Sequence, residues 1–91
     1  MADGRMPVTA YSLPGITASG APVGPGVAAC PRWLAFGTQV QIEGVGVVTC
    51  ADRYPASSGD HFDVWVATPA EVRTVTAWRN WALAPADPDT Q

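Results

Sequence analysis

The sequence predicts a small mainly-β barrel, about six short strands and one short helix in a single domain. Three observations point there. Apolar residues make up 47% of 91 residues and charged ones 14%, a balance that favours a folded globule over a disordered tail. Nine Gly and nine Pro are interleaved with many Val and Thr, which favours strands and turns over long helices. A chain this short buries a limited core, and closing the sheet on itself removes the edges it would otherwise have to protect.

The elements follow in order. Residues 1–6 read as a flexible N-terminus, and Val8–Leu13 as the first strand of a domain spanning 7–83. Pro14–Pro25 is a Gly/Pro-rich loop carrying Thr17-Ala18-Ser19-Gly20, and Gly26–Ala29 is a short second strand. After the turn Cys30-Pro31-Arg32-Trp33, the segment Thr38-Gln39-Val40-Gln41-Ile42 alternates polar with apolar, the period of a half-buried strand. Glu43-Gly44-Val45-Gly46 reads as a hairpin connection into Val47–Ala51. Arg53–Asp60 is a loop, and His61–Val66 the next strand. Thr68-Pro69-Ala70-Glu71 carries a helix start, with Thr68 as N-cap, Pro69 in the first turn and Glu71 closing a capping box. That helix must be short, because Thr74-Val75-Thr76 returns to β-type residues, and Val75–Leu83 forms the last strand. Residues 84–91 read as a flexible polar tail.

Charge and motif content exclude several functions. A net charge of −3 with five Lys and Arg lacks the basic footprint of a nucleic-acid binder. No segment approaches membrane-spanning length, so no membrane partner is expected. The N-terminus has no apolar stretch long enough for a signal peptide, so work at a cell wall would require release by lysis or carriage on a virion. One His and two Cys outside any CxxC motif make no zinc set, and no metal or cofactor is expected. Cys30 and Cys50 read either as a disulfide of a protein working outside the cytoplasm or as two small buried hydrophobes.

The candidate chemistry lies in two carboxylates eleven positions apart, Asp52 and Asp63. Asp52 ends the apolar run Val47-Val48-Thr49-Cys50-Ala51, and Asp63 sits inside Phe62-Asp63-Val64-Trp65-Val66. A carboxylate inside an apolar strand is costly to bury and needs a partner or a purpose. Two on strands joined by a Gly- and Ser-containing loop could share a cleft, the arrangement that glycoside-cleaving chemistry uses. The structural alternatives are a turn cap or Arg53 ion pair for Asp52 and a backbone-capping role for Asp63.

The order and spacing of several short motifs resemble a known family. Tyr11-Ser12-Leu13-Pro14-Gly15-Ile16-Thr17-Ala18-Ser19-Gly20, Gly26-Val27-Ala28-Ala29, Phe36-Gly37-Thr38-Gln39-Val40, Ala51-Asp52-Arg53 and Phe62-Asp63-Val64 are together similar to the three-aspartate (3D) domain and the related rare lipoprotein A-like domain. Both are six-stranded double-psi β-barrels, in the broad group that includes the catalytic barrel of lytic transglycosylase A. The resemblance covers Val8–Leu83. It places the second and third family aspartates on Asp52 and Asp63, and the first on Cys30, 22 positions before Asp52. The loop Arg53-Tyr54-Pro55-Ala56-Ser57-Ser58-Gly59 departs from the family's Gly-Gly and Lys, and the Asp-Arg pair leans towards the rare lipoprotein A-like branch.

The resemblance implies a double-psi barrel acting on peptidoglycan glycan strands, as a lytic transglycosylase that cleaves the MurNAc–GlcNAc bond. Asp63 would be the general acid and base, needing apolar surroundings to stay protonated, and Asp52 would raise its pKa and stabilise the oxocarbenium-like state. Thr17, Ser19 and Arg53 would border the cleft. Trp33 and Trp65 are the better sugar-stacking candidates, with Trp78 and Trp81 left to the core. Tyr11 reads as core and His61 as a surface residue facing away from Phe62. Cys30 could pair with Cys50, which a regular strand would put on the same face as Asp52, bracing the cleft floor. The competing expectations are a glycan-binding module, a virion (tail) module contacting phage proteins, or a loosening protein like the expansins.

Overall fold

The computed structural model describes residues 3–84, and within them the chain forms a closed barrel in the ring order β1-β5-β2-β4-β3-β6. The strands are β1 (Gly4–Tyr11), β2 (Val27–Ala29), β3 (Gln39–Ile42), β4 (Gly46–Asp52), β5 (Phe62–Trp65) and β6 (Ala77–Leu83). One 3-10 turn (Ala56–Ser58) and one helix, α1 (Pro69–Val75), complete the described elements. The pairs β1–β5 and β2–β4 are parallel, while β2–β5, β3–β4, β3–β6 and β1–β6 are antiparallel. Exchanging each strand with the one three later returns the same ring. The ring thus has a two-fold pseudo-symmetry, with one parallel pair in each half. It extends to detail: Cys30 N–H donates to Asp52 O after β2, and Val66 N–H donates to Tyr11 O after β5.

Period-2 patterning fills the interior. Val40 and Ile42 of β3 point inward and Gln39 and Gln41 outward; Phe62 and Val64 of β5 point inward and Asp63 and Trp65 outward. These side chains join Met6, Val8, Ala28, Cys30, Leu34, Val48, Cys50 and Trp81 in one core. Trp81 meets Phe62 edge-on at 5.4 Å between ring centroids. Trp78 is not core: at an odd spacing from Trp81 on one strand it takes the opposite face, and it is 60% exposed.

Several boundaries differ from the sequence reading, most of them by one or two residues. Gly4–Met6 is not a flexible terminus but part of β1: Gly4–Val8 pairs with Trp81–Ala77 of β6, and Met6 is buried. Pro7 does not break the strand because pairing with β5 starts only at Val8, leaving no ladder on that side to lose. The helix runs through Val75, and β6 starts at Ala77. Its C-terminal carbonyls explain the extension, since Thr76 donates to Val72 O through both its N–H and its hydroxyl. Arg79 then caps Val75 O through Nε and Thr74 O through Nη2. At the start, Thr68 Oγ1 meets Glu71 Oε1 at 3.1 Å rather than a backbone N–H. The tail expected over 84–91 lies outside the described residues except Ala84, whose N–H donates to Gln39 O.

Arg79 also reaches the β3–β4 turn, where Nη1 donates to Glu43 O at 3.0 Å. That turn closes with Val45 N–H on Ile42 O, and Gly44 has φ of +76°. A Cβ on Gly44 would stand 2.5 Å from Arg79 Nη1. Gly44→Ala is therefore expected to destabilise by about 1–2 kcal/mol, from the left-handed backbone and from displacing the guanidinium from its carbonyls. Urea unfolding would measure it, and an unchanged midpoint would show that the turn relaxes freely.

Candidate functional site

Cys30 and Cys50 form a disulfide with a Cα–Cα separation of 5.5 Å, linking the end of β2 to β4 inside the core. Asp52 is not on the same face. Between Ala28↔Cys50 and Ala29↔Asp52 the register slips by one residue, so Ala51 is the extra residue of a β-bulge. The bulge turns Asp52 outward while Cys50 stays inside, a common way of re-aiming a side chain. Ala51 O, at the bulge, accepts the Ser19 N–H at 3.0 Å and anchors the loop after β1.

The outward row this creates crosses four strands. Thr9 pairs with Asp63, Asp63 with Ala29, and Ala29 with Asp52. The two carboxylates thus flank one small side chain, on strands two apart in the sheet. At the usual strand spacing their Cα atoms stand roughly 10 Å apart. Tyr11, two residues beyond Thr9, is outward rather than core, and its hydroxyl donates to Asp52 Oδ2 at 3.3 Å.

Asp52 is fully engaged. Oδ1 accepts the N–H of Ala18 at 2.9 Å and that of Arg53 at 2.8 Å, while Oδ2 accepts Tyr11. It caps its own turn and pins the Thr17–Gly20 loop to the barrel. Asp63 is less committed. Oδ1 accepts the Thr9 hydroxyl at 2.9 Å. Oδ2 has no hydrogen bond among the described residues, and because no buried side-chain oxygen or nitrogen among them lacks a partner, Oδ2 reaches solvent. Burial pushes the Asp63 carboxyl up from its ordinary value; Thr9 and the charge of His61 act against this, and Asp52 adds to it.

Burial first, then the charge and hydrogen bond of Asp52 and the charge of Asp63, raise Tyr11 to about 12. Burial likewise raises Tyr54. An absorbance titration is expected to find neither of the two tyrosines at the ordinary value of 10.0. Asp52→Asn should lower Tyr11 without restoring it fully, since burial remains. Because the native value is the higher one, the Tyr11 contribution to stability is complete below pH 10.0 and is lost as pH rises through about 12. An Asp52→Asn variant with an unshifted Tyr11 transition would break the assigned contact.

The remaining candidates are placed as follows. Thr17 is only 4% exposed, and its hydroxyl is closed on Ala21 O and Ser19 Oγ, so it knots its own loop and does not face a ligand. Ser19 is exposed beside it. Arg53 does not pair with Asp52: its guanidinium donates to the carbonyls of Cys30, Asp52 and Leu34 and lies 4.2 Å from the centroid of the Phe36 ring. It braces the turn after β2. Trp65 lies on the Asp63 face, its indole N–H donating to Leu13 O. Trp33 is 56% exposed beside the Arg53–Asp60 loop, and its indole N–H donates to Asp60 Oδ2 at 3.0 Å.

Sequence reasoning missed Thr9, Tyr11 and the stack of Tyr54 on His61. His61 immediately precedes β5, partly exposed where Phe62 is buried, and its charge acts on Asp63. Its ring lies 3.8 Å from that of Tyr54, whose hydroxyl accepts the His61 N–H. Nδ1 faces Gly59 O at 2.8 Å; a carbonyl only accepts, so Nδ1 carries the proton.

Two hollows lie elsewhere on the surface. An open groove of about 370 Å³ lies at the other end of β5, between α1, the β3–β4 turn and the start of β2, walled by valines and rimmed by Trp65 and Glu71. A depression of about 110 Å³ lies beside Trp33, Tyr54 and Asp60. Asp52 and Asp63 line neither. Among the described residues no group of three or more His, Cys, Asp or Glu is placed to hold a metal. No family model, curated protein or solved structure matches the chain.

Proposed function

We propose that this barrel is a glycan-cleaving domain of the lytic transglycosylase type, acting on the MurNAc–GlcNAc bond of peptidoglycan with Asp63 as its single acid and base. The observation that carries the reading is the Asp63 carboxyl: half-buried, raised by that burial, held by Thr9 through one oxygen and open through the other. A carboxyl of this kind keeps its proton to a higher pH than a free one does and presents it on one oxygen. It would protonate the glycosidic oxygen. The resulting carboxylate would then take the proton of the sugar's own C6 hydroxyl as the 1,6-anhydro ring closes.

Asp52 acts at one remove in this reading. Its three hydrogen bonds fix Tyr11 and the Thr17–Gly20 loop beside Asp63, and its negative charge opposes ionisation of Asp63 and favours a developing oxocarbenium. The Cys30–Cys50 disulfide suits work in an oxidising setting such as the cell wall.

Digestion of purified sacculi, with products read by mass spectrometry, tests the proposal. Anhydro-muropeptides from the wild type and none from Asp63→Asn are expected. Reducing-end products would make the domain a hydrolase. A second reading, a non-catalytic glycan-binding or virion module, is favoured by one observation: Asp52 is committed to the fold, so only one of the two carboxylates has an oxygen open to substrate. A folded wild type that releases nothing from walls of several types would select it.

A further inference from the structure

We infer that the depression beside Trp33 is a pyranose-stacking subsite that holds the glycan strand a short distance from Asp63. The inference deepens the proposed function and rests on it for the kind of glycan bound. Trp33 is 56% exposed, yet it is held on two sides. Its indole N–H is fixed by Asp60 Oδ2 at 3.0 Å, and the ring leans on Trp81 at 5.8 Å between centroids with 46° between planes. An aromatic so exposed normally gains nothing from a fixed orientation. Trp78, 60% exposed, shows the contrast, since no hydrogen bond among the described residues fixes its indole.

The surroundings match a sugar. A pyranose offers an apolar face of C–H bonds and a rim of hydroxyls that both donate and accept. The depression offers the Trp33 ring, the Tyr54 ring, an exposed carboxylate in Asp60 and an exposed guanidinium in Arg32. Its volume of about 110 Å³ admits one edge of a ring rather than enclosing a ligand. A free monosaccharide would gain little there, and a polymer passing over it would gain most.

Position links the depression to the carboxylate. Tyr54 lines it and stacks on His61, which precedes Asp63 by two residues and whose charge acts on it. Two residues of strand are about 7 Å. Both walls are also anchored. The Pro31–Trp33 wall leaves the barrel directly after Cys30, and the Tyr54–Asp60 wall begins four residues after Cys50. The disulfide joins these roots, and Arg53 bonds Cys30 O and Leu34 O on either side of Trp33. The platform is preorganised by the covalent and polar framework beneath it.

The test is binding of peptide-free glycan strands, prepared from amidase-treated sacculi, to the full chain carrying Asp63→Asn so that the strands stay intact. Tryptophan fluorescence and the indole N–H resonance of Trp33 report the site. The expected result is a shift of that resonance on binding and a loss of affinity of about tenfold with Trp33→Ala. Asp60→Ala, at an exposed position, should weaken binding several-fold while the far-ultraviolet circular dichroism stays unchanged; it keeps the test decisive if Trp33→Ala does not fold. Equal affinity in folded Trp33→Ala or Asp60→Ala protein overturns the subsite, as does a wild-type barrel that binds no glycan. Trp33-dependent binding without any cleavage of sacculi by the wild type upholds the subsite and overturns the Asp63 chemistry. Cleavage that persists with Trp33-independent binding does the reverse.

Discussion

Replacing Cys30 and Cys50 together by alanine is expected to destabilise the domain by about 3 kcal/mol, the chain-entropy value for a crosslink spanning 20 positions. For a domain this small, that corresponds to a fall in Tm of roughly 10–25 °C. The arithmetic understates the local effect. Both sulfurs lie in the core, and the bond ties the end of β2 to β4 immediately before the bulge at Ala51. β2 has only three residues and pairs with β5 at only two positions, so the crosslink supplements the shortest strand of the ring. Reduction of the wild type separates the crosslink from the packing, because the thiols still fill the core when the bond is gone. Thermal and urea unfolding of the oxidised, reduced and double-alanine forms should rank in that order of stability. A reduced form as stable as the oxidised one would mean that the denatured chain is already compact between these two positions.

How far the sequence reaches can be judged from the same region. Strand positions were legible because Gln39–Ile42 and Phe62–Trp65 alternate cleanly, and the closed ring followed from strand number and chain length. The outward direction of Asp63 is also a matter of period, since Phe62 and Val64 must point in. Asp52 is different. Counting in twos from Cys50 puts it inside; only the slipped register at Ala51 turns it out, and an alanine in a strand carries no mark of a bulge. Thr9 and Tyr11 were illegible for another reason. They come from a strand more than forty positions away from their partners, and only the parallel β1–β5 pairing brings them alongside. Arg53 and Arg79 had nothing in the sequence to say that each would bond three carbonyls rather than a carboxylate. The helix end at Val75 differs from the reading because part of its cap, Arg79, arrives from β6 rather than from the helix itself.

Asp63→Asn is expected to lower glycan cleavage by about 10²–10⁴-fold, the usual worth of a positioned acid–base group, while making the folded domain more stable at neutral pH. The two effects share one cause. Burial raises the Asp63 carboxyl in the native state above its ordinary value of 3.8, so the folded chain holds this proton more tightly than the unfolded chain does. Where the native state binds more protons, stability falls as pH rises. The contribution of Asp63 is therefore complete below pH 3.8 and is lost as pH climbs through the higher native value, leaving a desolvated carboxylate at neutrality. Asparagine removes that charge, and its own Oδ1 can still accept the Thr9 hydroxyl. The variant should melt higher than the wild type at pH 7, with the difference shrinking towards zero as pH approaches 3.8. The wild-type kcat/KM should decline over the interval in which the stability difference grows, because both follow ionisation of one group. Melting curves and rates across that range decide the matter. A variant less stable than wild type at pH 7 would mean that the carboxylate holds the barrel together in its charged form. Asp63 would then belong with Asp52 as a structural residue, and the glycan-binding reading would replace the catalytic one.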